Sequence, residues 1–459
     1  MLYYLVKLMA ITAIKTFFNK ISAENVENIS KDIPVIFTAN HPNTMMDPMI
    51  IGYTCKRKLH FFAKSTLFNN PIAGWLLGRM QIIPVYRKQD DPTKMDQNIE
   101  AFSRGFEILK QNKAFLIFPE GISTGDRKLS QIKTGAARIG FGAEVEHNWQ
   151  LGAQIIPVGL SYSDNVKFRS DVSARYGQPI RLSDFRSIFE RDEKEAVKIV
   201  TEQIETALSK LTINLEDLEM QEIVEALETI YKQELAVDLG LEIKDKTDDF
   251  SVTKGLINAV EWYYENEPLL VEKFKEMLHR YQRFLNRLQI KDEFLDPSSS
   301  SVSFMERIKA ISYLIFMFPI YLYGLINNVI PYKFPRWYAR HFVKHKSEVA
   351  PWKMVSGMII FLIYYPIEII IFASLTGSFT LTFLYALSLI PSGNFVLRYV
   401  DRVRDYRQHL RFLSVFYRKR TLIYDLIKQR TDIIEFLNTC KKDYMSAVGL
   451  ISSQKDSNK

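Results

Sequence analysis

The stretch Ala39-Asn40-His41-Pro42-Asn43-Thr44-Met45-Met46-Asp47-Pro48 puts a histidine and a carboxylate in one turn-rich loop. An aspartate that hydrogen-bonds an imidazole fixes its tautomer and makes it the stronger base. Such a pair can take a proton from an alcohol that attacks an acyl carbon. The same residues also fit an Asx-type turn around a hydrogen-bonding histidine, so this loop alone leaves both roles open.

A second stretch, Phe118-Pro119-Glu120-Gly121-Ile122-Ser123-Thr124-Gly125-Asp126-Arg127-Lys128-Leu129, follows an apolar run. Glycine at Gly121 lets the backbone approach a ligand, and main-chain N–H groups there can face an anion. Glu120 can bind a substrate hydroxyl or simply hold the loop. The five residues from Gly121 to Gly125 also spell G-x-S-x-G, which would make Ser123 an esterase nucleophile on a strand–turn–helix elbow. The following Asp126-Arg127-Lys128-Leu129 reads as loop rather than helix, which speaks against that elbow. Elsewhere, Ile83-Pro84-Val85-Tyr86-Arg87 ends a strand-like run on an arginine suited to bidentate phosphate binding. Lys133 opens a helical pattern whose N-terminus favours an anion. Each of these cations alone is equally an ordinary surface charge. Ile155-Ile156-Pro157-Val158-Gly159-Leu160 is an apolar run suited to a core strand or the wall of an acyl-chain site.

These loops need a scaffold. Residues 34–39, 58–63, 81–86, 114–119, 153–162 and 172–180 form short β-branched or aromatic runs, with helical patterns at 95–111 and 133–144 between them. Buried apolar strands alternating with helices predict an α/β domain with a largely parallel sheet and flanking helices. The chemistry then belongs in loops at the strand ends. We place this domain at residues 23–185, after an N-terminal interfacial amphipathic helix at 1–22 whose alternative is a helix packed on the domain. Interspersed lysines at 7, 15 and 20, and the lack of a small-residue cleavage site, do not suit a signal peptide.

Residues 186–294 follow as a helical insert, periodic at 190–235 and 254–290, with 245–251 as a loop. Residues 295–303 are the linker. The 23 residues between Lys309 and Lys333 carry no charge, and residues 354–397 carry only Glu368. A bilayer span needs about 20 apolar residues, so a helical membrane module is expected at 304–400, with segments near 310–332, 354–375 and 377–397. Pro319 allows the first of these to be a re-entrant hairpin rather than a span. Residues 401–459 form a basic helical tail.

Charge follows the same divisions. The total is +8, but residues 1–180 carry 22 Lys/Arg against 15 Asp/Glu, residues 181–300 carry 16 against 27, and residues 301–459 carry 22 against 10. By the positive-inside rule the basic loop at 331–353 is expected to lie, with the α/β domain, on the cytoplasmic side. Because these cations flank apolar spans, anionic lipid is the expected partner rather than nucleic acid. With 47% hydrophobic and 13% aromatic residues the chain is not disordered. Cys55 and Cys440 are its only thiols and form no CxxC pair, which excludes a disulfide scaffold and thiolate zinc sites.

In this order, the N-H…D, I-P-V-x-R, F-P-E-G and I-P-V blocks resemble the glycerol-3-phosphate/1-acylglycerol-3-phosphate acyltransferase family over about residues 30–185. The block Phe62-Ala63-Lys64-Ser65-Thr66-Leu67-Phe68 is similar as well. The resemblance implies transfer of a fatty acyl group from acyl-CoA or acyl carrier protein to a hydroxyl of glycerol 3-phosphate or dihydroxyacetone phosphate, in early phospholipid synthesis. A 1-acylglycerol-3-phosphate or other lysophospholipid acceptor is the alternative, and a non-catalytic membrane scaffold a more distant one. It also implies His41 as general base with Asp47 orienting it, and Arg87 on phosphate. Glu120 and Gly121 would shape the glycerol-phosphate site, joined in substrate binding by Asn40, Ser123, Arg127 and Lys133. No metal or cofactor is expected. Two departures stand out. Pro42 to Met46 put five residues, not four, between His41 and Asp47. Ile122-Ser123 replaces the family's Thr-Arg after F-P-E-G, leaving Arg127, Lys128 or Lys133 to supply the second cation.

Overall fold

The computed structural model describes residues 2–87, 92–123, 125, 129–213, 218–241, 246–295 and 304–449. The chain divides into two compact units, Met1–Asn214 with Pro331–Ile363, and Leu215–Ile330 with Tyr364–Lys459.

The first unit is built on one sheet. Its strands are β1 (Lys20–Glu24), β2 (Val35–Ala39), β3 (Leu59–Lys64), β4 (Ile83–Val85), β5 (Ala114–Ile117), β6 (Gln154–Tyr162), β7 (Asp171–Tyr176) and β8 (Ile180–Arg181). They lie in the order β1-β7-β6-β2-β5-β3-β4, with β8 beside β6. All pairings are parallel except those of β6 with β7 and β8. The helices of this unit are α1 (Leu2–Phe17), α2 (Met46–Thr54), α3 (Pro71–Arg79), α4 (Asn98–Lys110), α5 (Gly135–Glu146), α6 (Arg186–Arg191) and α7 (Glu193–Leu211).

Period-two alternation explains why the sheet is covered on both faces. Along β2, Val35, Phe37 and Ala39 point into a core with Ile14 and Phe17 of α1 and Met46, Ile50 and Ile51 of α2. Ile36 points the other way, to a second core with Leu109 of α4, Ala137 and Phe141 of α5 and Val200 and Ile204 of α7. Each fully buried large apolar side chain contributes about 1.5–3 kcal/mol over leaving it in water. β2 is the switch point: the chain reaches β3, β4 and β5 on one side of it and β6 on the other. A crevice outside the carboxyl ends is the usual ligand site of such sheets.

Local structure departs from the sequence reading at the N-terminal end. The last turn of α1 is buried through Ala13, Ile14 and Phe17, while Leu8 and Met9 stay exposed. Lys20–Glu24 then pairs with β7 as an edge strand. Its five residues, Lys-Ile-Ser-Ala-Glu, hold too little apolar surface to stand out in sequence.

The second unit holds α8 (Leu218–Ile230), α9 (Lys232–Asp238), α10 (Lys246–Asn266), α11 (Pro268–Leu288) and α15 (Arg420–Ala447). Arg430 of α15 meets Asp292 at 3.1 Å, and both are buried. The segment 245–251, expected as a loop, is helical from Lys246 onward. Three further helices are α12 (Phe304–Phe342), α13 (Lys346–Thr376) and α14 (Phe379–Arg418). Each contains a stretch long and apolar enough to cross a membrane: Ile311–Phe342, Lys346–Thr376 and Phe379–Arg404.

The re-entrant hairpin that Pro319 would allow does not form, since α12 is helical throughout. A proline removes one N–H donor, and a helix surrounded by apolar medium keeps its remaining backbone bonds rather than expose them. Two tyrosines inside the second unit bond across helices: Tyr365 donates to Asn328 at 2.6 Å and Tyr385 to Asn327 at 2.7 Å. Of the linker at 295–303, residues 296–303 lie outside the described residues.

Candidate active site

Register brings the chemical loops together. Thr38 of β2 pairs with Ile117 of β5 and with Pro157 of β6. The loops leaving β2 and β5 therefore emerge side by side, next to the last residues of β6. Asn40 continues the β2–β6 ladder with its side chain, donating to Leu160 O at 3.0 Å and accepting from Leu160 N–H at 2.7 Å. Both ends of this amide are thus committed to holding the loop.

His41 Nδ1 and Asp47 Oδ2 are 2.8 Å apart. Asp47 is fully buried in the first turn of α2, while the His41 side chain is 19% exposed. The carboxylate also accepts Asn43 N–H on Oδ2 at 2.8 Å and the Tyr162 hydroxyl on Oδ1 at 2.6 Å. Surrounded by donors, Asp47 can only accept from the imidazole. The proton therefore sits on Nδ1, and Nε2 carries the lone pair. Beneath the ring, Phe118 stacks at 3.8 Å between centroids and 12° between planes. The Tyr162 phenol is pushed well above its ordinary value, first by burial and then by the Asp47 charge, so it stays a donor.

The five-residue spacing from His41 to Asp47 is taken up in a tight turn. Met46 N–H donates to Asn43 O at 2.8 Å, and Thr44 adopts φ 33°. The extra residue thus leaves the His–Asp contact intact.

Glu120 bridges two loops rather than facing open solvent. Its Oε1 accepts His41 N–H at 2.8 Å and its Oε2 accepts Ser130 N–H at 2.9 Å. Burial raises its carboxyl above the usual range, an effect those N–H groups oppose. Gly121 turns the chain at φ 69°. Two cations converge on it. Arg87 Nη1 donates to Gly121 O at 2.8 Å, and Lys133 Nζ would lie 2.5 Å from a Cβ placed on Gly121. A side chain at Gly121 would displace that ammonium. Arg87 is held in place by Asn98 at the start of α4, whose amide bonds Tyr86 N–H at 2.9 Å and Tyr86 O at 2.7 Å.

Ser123 lies beside the His41–Asp47 loop, but it is not on an elbow. Its Oγ accepts Thr44 N–H at 3.1 Å, and among the described residues after it the next helix starts only at Gly135. Arg127 and Lys128 lie outside the described residues. The structure thus gathers Asn40, His41, Asp47, Glu120, Gly121, Ser123, Arg87 and Lys133 at one end of the sheet. Among the described residues no group of His, Cys, Asp and Glu is arranged to hold a metal.

Sequence reasoning missed Tyr162, Phe118 as the ring's platform, and Asn43. Tyr162 shares a strand face with Val158 and Leu160, but its partner Asp47 is 115 residues away in sequence. Phe118 was visible in its motif, though not the ring it supports.

Residues 20–161, which hold most of the first unit's sheet, match the family model described as Acyltransferase. Glycerol-3-phosphate O-acyltransferase 1 of Saccharomyces cerevisiae is 24% identical over 283 residues, covering 58% of this chain and 36% of that protein. A chloroplastic 1-acyl-sn-glycerol-3-phosphate acyltransferase of Arabidopsis thaliana is 27% identical, covering 34% of this chain and 40% of its own length. The 1-acyl-sn-glycerol-3-phosphate acyltransferase of Streptococcus pneumoniae is 26% identical, over 40% of this chain and 62% of its own. The chain therefore spans less than two thirds of each of these relatives. The crystal structure of a 1-acyl-sn-glycerophosphate acyltransferase, PlsC, from Thermotoga maritima is similar over 46% of this chain and 79% of that one, with TM-score 0.33 and 21% identity.

Proposed function

We propose that the protein transfers a fatty acyl group from an acyl thioester, acyl-CoA or acyl carrier protein, to a hydroxyl of glycerol 3-phosphate or dihydroxyacetone phosphate. His41 Nε2 takes the proton of that hydroxyl as its oxygen attacks the thioester carbonyl carbon. The tetrahedral intermediate collapses, the carbon–sulfur bond breaks, and the leaving thiolate receives the proton from His41. Arg87 and Lys133, converging on Gly121, bind the acceptor's phosphate. A positioned general base typically contributes about 10²–10⁴-fold to rate.

One observation carries this reading: the His41–Asp47 contact at 2.8 Å, with Asp47 fully buried, leaves Nε2 basic. The apolar helices and the basic segment at 331–353, within the same unit as the sheet domain, support an integral membrane enzyme whose catalytic domain faces the cytoplasm. Among acceptors, the longer match to the yeast glycerol-3-phosphate enzyme favours glycerol 3-phosphate over the lyso-lipid. The serine-esterase reading loses ground because Ser123 Oγ is engaged by Thr44 N–H.

The test is radiolabelled acyl transfer by purified protein to glycerol 3-phosphate, dihydroxyacetone phosphate and lysophosphatidate in parallel, with acyl-CoA and acyl carrier protein as donors. Preferred transfer to glycerol 3-phosphate or dihydroxyacetone phosphate is expected. Turnover restricted to lysophosphatidate would reassign the acceptor. Loss of all turnover in Ser123→Ala, together with fluorophosphonate labelling of Ser123, would install the esterase instead.

A further inference from the structure

Thr44 is a β-branched residue in the left-handed region, at φ 33°. A backbone of this kind persists only where its surroundings over-determine it. It lies in the turn joining His41 to Asp47, one residue after the Asn43 N–H that binds Asp47 Oδ2. Two bonds hold it. Its N–H donates to Ser123 Oγ at 3.1 Å, and its Oγ1 donates to Ser347 O at 2.9 Å. Ser347 closes the ring by donating from Oγ to Ser123 O at 3.2 Å.

Ser347 is 2% exposed and sits in the first turn of α13, whose whole length is long and apolar enough to cross a membrane. The backbone contact around it is close as well. A Cβ on Gly125, which has φ 79°, would lie 2.9 Å from Ser347 N and 3.3 Å from its Cα. Lys353 of the same helix donates to Val166 O at 2.9 Å, and the neighbouring Asn165 O accepts from Asn43 Nδ2 at 3.0 Å. The base of α13 thus touches both loops that frame the imidazole, 303 residues along the chain from Thr44.

We infer that Ser347 is a positioning residue for the reaction, holding Thr44 and Ser123 so that Asp47 stays aligned on His41. The inference rests on the acyl-transfer reading for its kinetic consequence but not for its geometric one. It makes the first turn of a membrane helix part of the catalytic frame. A change in how α13 is seated then alters turnover without touching substrate.

Full-length protein in lipid bilayers, labelled with ¹⁵N-histidine, provides a readout that does not need turnover. The His41 Nδ1–H resonance, assigned by its loss in His41→Ala, should exchange with solvent about tenfold faster in Thr44→Val and in Ser347→Ala. Thr44→Ser keeps the hydroxyl and should retain the wild-type rate. In acyl transfer, Thr44→Val and Ser347→Ala should lower kcat about tenfold with KM for acceptor and donor within about twofold, and the double variant should lose little more than either single one. Wild-type exchange in both Thr44→Val and Ser347→Ala would overturn the inference. So would a Thr44→Ser variant that behaves like Thr44→Val. If Thr44→Val does not fold, Ser347→Ala, which opens the ring at the Ser347–Ser123 bond while keeping the main-chain bond to Thr44, decides alone. Absent transfer by wild-type protein would overturn the proposed function, while the exchange rates would still decide the positioning role.

Discussion

Tyr162 donates to Asp47 at 2.6 Å, on the carboxylate oxygen that Asp47 does not offer to His41. The last residue of a central strand thereby fixes the aspartate that fixes the histidine. A hydrogen bond to a charged group is worth about 1.5–3 kcal/mol. Tyr162→Phe keeps the ring in its core site, so the protein should fold. Its kcat should fall about 10- to 100-fold with KM little changed, because Asp47 gains freedom to turn away. Steady-state kinetics beside a thermal melt checks this; unchanged kcat would show that Asp47 needs no second anchor.

Arg87 is predicted to act on binding rather than on the chemical step. Removing one charged contact to phosphate costs about 1.5–3 kcal/mol, so Arg87→Ala should raise the acceptor KM about 10- to 100-fold. Arg87→Lys should recover only part of this, since lysine lacks the planar fork. Acceptor titrations at saturating donor separate the two effects. A variant with normal acceptor KM would return Arg87 to the role of a loop brace on Gly121.

Glu120 ties the His41 backbone to Ser130. A glutamine there has one oxygen for two N–H donors and turns an NH2 group toward the other. Glu120→Gln should therefore cost about 1–3 kcal/mol of stability and lower turnover with it. The sign of the pH dependence follows from burial, which raises this carboxyl. The folded state then holds the proton more tightly than the unfolded one. Its stabilising contribution is present at low pH and is lost as pH rises from the unfolded carboxyl value through the folded one. Thermal melts from about pH 4 to about pH 8 should show the wild-type advantage over Glu120→Gln shrinking as pH rises in that window. An advantage that grows with pH there would contradict the assignment.

Cys55 is 3% exposed, and burial pushes its thiol up to about 11. Only the thiolate reacts appreciably, so Cys55 should resist iodoacetamide in the folded protein near neutral pH and react on unfolding. Mass spectrometry of native and denatured samples tests this. Rapid native alkylation would show that the core around α2 opens readily.

The legible parts of this protein were those with a local signature. Val35–Ala39, Ala114–Ile117 and Gln154–Tyr162 are buried central strands, which appear in sequence as nearly unbroken apolar runs. His41, Asp47, Arg87, Glu120 and Gly121 occur in ordered blocks close to those strands. What escaped was non-local or masked by charge. Lys20–Glu24 is a strand only because β7 lies beside it. The start of α10 carries Lys246, Asp248 and Asp249, which conceal its periodicity. Tyr162 and Ser347 join the site across 115 and 303 residues respectively, and no spacing rule reaches so far.

The most direct test of the central claim is the turnover of His41→Ala, set beside Asp47→Asn in the same acyl-transfer assay. His41 lies in the loop at the carboxyl end of β2 with its side chain partly exposed, so His41→Ala should melt near wild type. Asp47 is fully buried among donors, so Asp47→Asn should melt lower, and its turnover is read at a temperature where it stays folded. His41→Ala should lose at least about 10²-fold in kcat, and Asp47→Asn should lose a comparable factor by presenting the wrong tautomer. Near-normal transfer by a folded His41→Ala protein would contradict the account.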